Sequence, residues 1–254
     1  MMTQEEKSQA ITRHRINVVL VFFLITQVIV WNHNAKFMPK LGIFSEPPTL
    51  IQAHINSLGD EQFYFRFLAL DLQNSGDTFG RYTPLREYDY SLLKKWLFLL
   101  DDLDPRSNFL PSIASYYYSN TQNVQDVRYI IDYLEYTYDK DPKAKWWWLA
   151  QATLLAFHKL HDKTLSIRLA VKLSATPSQK IPRWAQQMPA IVLAQYGERE
   201  MALAIIKDLA NRYDDYSQPE INYMNYFIRK RLGYLNEEIT KKPTKEDNTG
   251  WYMK

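Results

Sequence analysis

The stretch QYGEREMALAII, residues 195–206, reads as the end of one helix, a corner and the start of the next. Gly197 suits the corner, because a residue without a Cβ takes the left-handed backbone that a tight helix-turn-helix demands. Ala202 falls where the second helix must approach the first, and a methyl side chain permits a short axial separation. The pattern extends in both directions. Upstream, KLHDKTLSIRLAVKLSATP (159–177) presents a short polar turn, an apolar-periodic helix and a closing proline. Downstream, INYMNYFIRKRLGYL (221–235) reads as a final capping helix, with Arg229, Lys230 and Arg231 near its C-terminus, where cations suit the helix dipole.

Toward the N-terminus the same reading continues. A short helix is predicted over 49–58, broken by Gly59-Asp60. In EQFYFRFLALDLQNSGD (61–77), Phe63, Phe67 and Leu70 recur at i, i+4 and i+7, with Phe65, Leu68 and Leu72 on the adjacent face. That spacing predicts a largely buried helix closed at Ser75-Gly76. A further helix covers Tyr90 to Leu103 and stops at Asp104-Pro105. Proline then closes a helical pair at Pro105, Pro142, Pro177 and Pro219, at intervals of about 37, 35 and 42 residues. Short polar turns divide each interval at Asn120–Gln122, His161–Lys163 and Gly197–Arg199.

This layout resembles the tetratricopeptide repeat. QYGEREMALAII carries the likeness most closely, with Gly197 at the turn and Ala202 at the close approach. Residues 159–177 resemble the turn, second helix and closing proline of another unit, and NSGDTFG (74–80) resembles the turn of an earlier one. Asn120–Gln122 and His161 stand where the turn glycine would be, and the helix containing Trp146 is a turn long for a unit that starts there. The resemblance spans 61–240 in layout and implies an all-α fold, a TPR-like α-solenoid whose first helices line a concave binding face. An irregular helical bundle is the rival architecture.

Composition narrows the function classes. The 254 residues carry a net charge of +3, and no long Lys/Arg cluster interrupts the body, so nucleic acid is not an expected partner. The absence of cysteine removes disulfides, thiolate zinc sites and thiol nucleophiles together. Seven glycines beside 46% hydrophobic residues are few for a Rossmann or all-β chain, which spends glycine on turns and phosphate loops.

INVVLVFFLITQVIVW (16–31) is the single charge-free, almost continuously apolar block, and Arg13, His14 and Arg15 precede it. Sixteen helical residues rise about 24 Å against a hydrocarbon core of roughly 30 Å, short but workable with Arg15 and Trp31 at the interfaces. The block runs on into Trp-Asn-His-Asn-Ala-Lys, which lacks the small residues of a signal-peptide cleavage site. An uncleaved single-pass anchor is the expectation, with a buried core helix and a signal peptide as alternatives. Lys7, Arg13 and Arg15 before the block, against Lys36 and Lys40 after it, bias the N-terminus to the cytoplasm. The domain reading is therefore a cytoplasmic segment 1–15, an anchor 16–35, a connector with a short helix 36–60, a helical-repeat domain 61–240 and a disordered polar tail 241–254. In a bacterium this places the anchor in the inner membrane and the body in the periplasm.

Candidate chemistry is sparse. His158 and His161 share a two-ligand metal spacing, but no third ligand lies near in sequence. Asp101, Asp102 and Asp104 read as a solvated helix end rather than paired acid-base carboxylates, and no nucleotide, hydrolase or zinc motif occurs. No cofactor, metal or catalytic residue is expected. Aromatic residues make up 15% of the chain, with runs at Tyr116-Tyr117-Tyr118 and Trp146-Trp147-Trp148. Three consecutive helical positions cover about 200° of helix surface, so one apolar stripe cannot bury a whole run. Tyr116, Tyr117, Trp146, Trp147 and Trp148 are the candidate partner-binding residues, anchoring a peptide or helix in an aromatic groove, unless the rings fill gaps between helices. The functional expectation is a membrane-anchored helical-repeat scaffold or assembly factor that binds protein at an envelope complex. The alternative is an enzyme, or a small-ligand-binding helical domain, with a site built from dispersed residues.

Overall fold

The computed structural model describes residues 4–35, 43–78, 81–176, 181–212 and 216–240; the expected tail 241–254 lies outside them. It forms two units, residues 1–42 and 43–254. In the first, a single helix, α1 (Gln4–Ala35), runs through both the expected cytoplasmic segment and the anchor. Its apolar stretch, Arg13–Asn32, is twenty residues long with mean hydropathy 1.7, and none of it is buried. Twenty residues rise about 30 Å, the thickness of a hydrocarbon core, so α1 is long and apolar enough to cross a membrane. Thr26, a polar interruption, donates its hydroxyl to the Phe22 carbonyl at 2.8 Å and so satisfies itself within the helix.

The second unit is mainly helical among its described residues. It contains α2 (Leu50–Asn56), α3 (Glu61–Gln73), α4 (Tyr90–Leu103), α5 (Phe109–Tyr116), α6 (Val127–Lys140), α7 (Pro142–His158) and α8 (Lys163–Ser174). It continues with α9 (Arg183–Gln186), α10 (Met188–Gln195), α11 (Arg199–Arg212) and α12 (Gln218–Tyr226), which runs into a π-helical turn over Phe227–Leu232. Packing follows chain order: α3 on α4, α5 on α6, α6 on α7, α7 on α8, α8 on α10 and α10 on α11, with α4 also against α6. One feature departs from an all-helical reading. Asp77–Thr78 (β1) pairs antiparallel with Arg81–Tyr82 (β2) in the loop after α3. That loop is seated by Tyr88, whose hydroxyl donates to the Ser75 carbonyl at 2.5 Å. Gly76 is required beneath it, because its φ is +90° and a Cβ there would lie 1.9 Å from the Tyr88 oxygen.

Caps set the helix boundaries. Asp60, Asp89, Asp141 and Asp162 each accept backbone N–H bonds in the first turns of α3, α4, α7 and α8. Thr49 with Gln52, and Ser217 with Glu220, form capping boxes at α2 and α12. Two prolines expected to close helical pairs instead open the next helix. Pro142 and Pro219 lie in the first turns of α7 and α12, where a missing N–H costs nothing. The corner between α10 and α11 holds Gly197 at φ +82°, and the corresponding corner between α7 and α8 holds His161 at φ +53°. A histidine can thus occupy the same left-handed conformation at one corner that glycine takes at the other.

Two sequence expectations are overturned by packing. On α3 the buried residues are Phe65, Ala69 and Leu72, whereas Phe63, Phe67 and Leu70 point outward. The i, i+4, i+7 stripe is real, but α4 covers the other face of the helix. Asp101 is also no solvated helix end: it is 1% exposed and accepts from Tyr133 (3.1 Å), Thr137 (2.8 Å) and Lys140 (2.9 Å), all on α6. Burial works against the charge on Lys140, yet Asp102 and Asp101 outweigh it and hold its pKa above the usual lysine value.

Similar bridges tie successive even-numbered helices. Lys94 on α4 meets Asp132 on α6 at 3.1 Å. Arg168 on α8 grips Glu135 on α6 with two bonds of 2.6 and 2.8 Å, and Lys172 reaches both Glu135 and Asp139. The pairs join residues 33 to 39 apart in the chain. The apolar core runs from Phe44 to Val192, and a second cluster from Ala190 to Leu232 closes the C-terminal end.

Asp101→Ala leaves the Tyr133 and Thr137 hydroxyls without their acceptor and removes a partner of Lys140, so urea unfolding should show a loss of about 3–5 kcal/mol. The bonds from Arg168 pull the Glu135 pKa from 4.5 down to about 2 against the opposing effect of burial. The stabilisation from a depressed carboxylate is complete above pH 4.5 and fades as pH falls toward 2. Wild type should therefore lose more stability over that interval than Glu135→Gln, as read from urea midpoints at successive pH values.

Candidate functional site

The odd-numbered helices present a different chemistry. Tyr116 ends α5 and is exposed, Tyr117 caps that helix half-buried, and Tyr118 turns inward to the core. The run is split because a 3-10 turn over Tyr118–Asn120 swings the third ring under the body, where its hydroxyl donates to the Leu72 carbonyl at 2.6 Å. On α7 the three tryptophans separate in the same way. Trp147 is 39% exposed, Trp146 is half-buried and Trp148 is 7% exposed.

Four rings from three helices meet at the surface. The Trp147 indole N–H donates to the Tyr116 hydroxyl at 3.0 Å. Trp147 packs edge-on against Trp146 (5.7 Å between ring centroids), and both meet Trp184 of α9 at 6.2 and 5.6 Å. These edge-to-face contacts suit the ring quadrupoles, and Tyr116, Trp147 and Trp184 each stay partly exposed. The neighbouring Tyr117 pairs its hydroxyl with that of exposed Tyr82 at 3.4 Å. That bond, followed by burial and nearby tyrosines, pushes the Tyr117 phenol up, so it stays protonated and a donor at neutral pH. Further along, α12 exposes Tyr223 and Tyr226 beside a small cleft of about 220 Å³ lined by Ile191 and Arg231.

Of the five candidates named from sequence, Tyr116, Trp146 and Trp147 are joined directly and Tyr117 adjoins them. Trp148 departs from the expected role. Its indole N–H donates inward to the Asn108 side-chain carbonyl at 3.0 Å, and buried Lys145 donates to the same oxygen at 3.0 Å and to the Ser107 carbonyl at 2.5 Å. Trp148 and Lys145 thus fasten α7 to the α4–α5 corner, and burial pushes the Lys145 pKa down. Trp184 lies outside the aromatic runs that stand out in the sequence, although a signal for it exists. It follows Trp147 by 37 residues, close to the proline spacing, but stands alone rather than in a run.

The remaining candidates behave as structural groups. His161 forms the α7–α8 corner, and among the described residues no three His, Asp or Glu side chains gather as a metal site. A larger cleft of about 610 Å³ lies beside α3, lined by Phe65, Arg66, Leu70, Asp104, Arg106 and Phe109. The chain matches no family model, no curated protein and no solved structure.

The split between inward and outward rings gives a direct test. Trp148→Ala should cost about 3–5 kcal/mol in urea unfolding, as expected of a buried indole. Trp147→Ala, one residue earlier and more exposed, should cost less, about 1–2 kcal/mol.

Proposed function

We propose that this chain is a membrane-anchored, TPR-like α-solenoid that binds a protein partner on the aromatic surface of its odd-numbered helices, as a scaffold or assembly factor at an envelope complex. One observation carries the reading: the two helix sets are chemically segregated. The even-numbered helices α4, α6 and α8 spend their polar side chains on one another, through Lys94–Asp132, Lys140–Asp101 and Arg168–Glu135. The odd-numbered α5 and α7, with α9, expose tyrosine and tryptophan. Large, rigid rings with one polar edge are the residues that dominate protein interfaces, because they bury much area at small entropic cost.

The repeat assignment draws support from bridges spaced 33 to 39 residues apart and from the paired corners at His161 and Gly197. The anchor assignment draws on the length and exposure of the apolar stretch of α1. With α1 in an inner membrane and its basic flank cytoplasmic, the body stands in the periplasm and meets partners at the membrane surface.

The test compares full-length chains extracted from membranes in mild detergent. Wild type and Val171→Ser, altered at an exposed site on α8, should co-purify the same protein. Tyr116→Ser combined with Trp147→Ser should lose it while still unfolding in a single cooperative thermal transition well above the purification temperature. Unchanged recovery by the aromatic double variant would sink the proposed binding surface.

A further inference from the structure

The first helices of the body carry an apolar surface that the fold leaves uncovered. On α3, Phe63, Phe67 and Leu70 are 69%, 60% and 56% exposed. On α2, Ile51 and Ile55 stand out at i, i+4 spacing, 72% and 67% exposed. The turn between the helices holds Leu58 at φ +50°, 93% exposed. A left-handed backbone disfavours leucine, and burial within the body returns nothing at this position. Six large apolar side chains within twenty residues are more than scattered surface leucines.

We infer that this face, α2 and α3 with the Leu58 turn, is a second membrane-contact surface that lies in the interface of the bilayer carrying the anchor. The inference rests on α1 being inserted. Seven residues, 36–42, join α1 to Ile43, and fully extended they reach only about 25 Å. Seven further residues, 43–49, lead to α2, so α2 and α3 are the described helices that follow the anchor most closely along the chain, and they are the ones with exposed apolar stripes. Interfacial helices sink such a face roughly 5–10 Å into the headgroup and acyl boundary. Arg66 lies within the α3 stripe and Arg106 on the rim of the adjoining cleft, where long stems let guanidinium groups reach phosphates. Asp60, Glu61 and Asp71 balance these cations, so the contact is apolar in origin and persists at high salt.

The cysteine-free chain allows single thiols to be placed and labelled with an environment-sensitive fluorophore. Full-length Ile25→Cys, Ile55→Cys, Phe67→Cys and Val171→Cys are reconstituted in phosphatidylcholine vesicles with and without nitroxide-labelled phosphatidylcholine. The labels at 25, 55 and 67 should be quenched several-fold by the nitroxide lipid, with and without added salt, and the label at 171 should not. Quenching at 25 with 55 and 67 matching 171 overturns the inference and leaves the anchor intact. No quenching at 25 overturns the anchor and this inference together. A blue shift at 55 and 67 that depends on protein density and ignores the nitroxide assigns the face to a second copy of the chain and also overturns it.

Discussion

The buried carboxylate of Asp101 is the constraint around which the second unit is arranged. A charge this deep is tolerable only when its lone pairs are filled, and α6 supplies three donors, from Tyr133, Thr137 and Lys140. Those donors sit at i, i+4 and i+7 on one face of α6, so satisfying Asp101 fixes both the rotation and the axial register of α6 against α4. Helix α7 then follows α6 without a loop, since Asp141 ends one and caps the other. Its placement is locked in turn by Lys145 and Trp148 on Asn108.

The orientation of the aromatic surface follows from this register. Once Trp148 points inward, the helical step of 100° carries Trp147 to the outside and Trp146 to the flank. The outward ring meets Tyr116 because α5 lies beside α7, and meets Trp184 because the short α9 packs on α8 close by. Polar bridging on the even-numbered helices has the complementary effect. Arg168, Lys172, Glu135 and Asp139 neutralise one another, leaving little unpaired charge there for a partner to recognise.

The first and last helices of the second unit contrast with this middle. At the C-terminal end, Ile221, Met224, Phe227, Ile228 and Leu232 close the core under a π-helical turn that stops at left-handed Gly233. At the N-terminal end, among the described residues, no helix stacks on the outer face of α3, and Phe63 and Phe67 remain exposed. The helices nearest α1 in sequence thus carry exposed apolar side chains, whereas those nearest residue 240 bury theirs.

Local structure is written in short stretches of the chain. Aspartate caps, capping boxes, glycine and proline positions and 3.6-residue periodicity are encoded within a few residues, which is why the helices and corners from Tyr90 to Leu232 fall near where the pattern places them. The length and apolar character of α1 are equally local. Which side of each helix is inside depends on the helices packed against it. Periodicity finds a stripe but not its partner: α3 shows two apolar faces, and only the position of α4 selects Phe65, Ala69 and Leu72 for the core. Likewise Asp101 reads as a solvated helix end until α6 brings three donors to it from more than thirty residues away. The assembly of Tyr116, Trp147, Trp146 and Trp184 is non-local for the same reason, since ring contacts across helices depend on a rotation that side chains elsewhere impose.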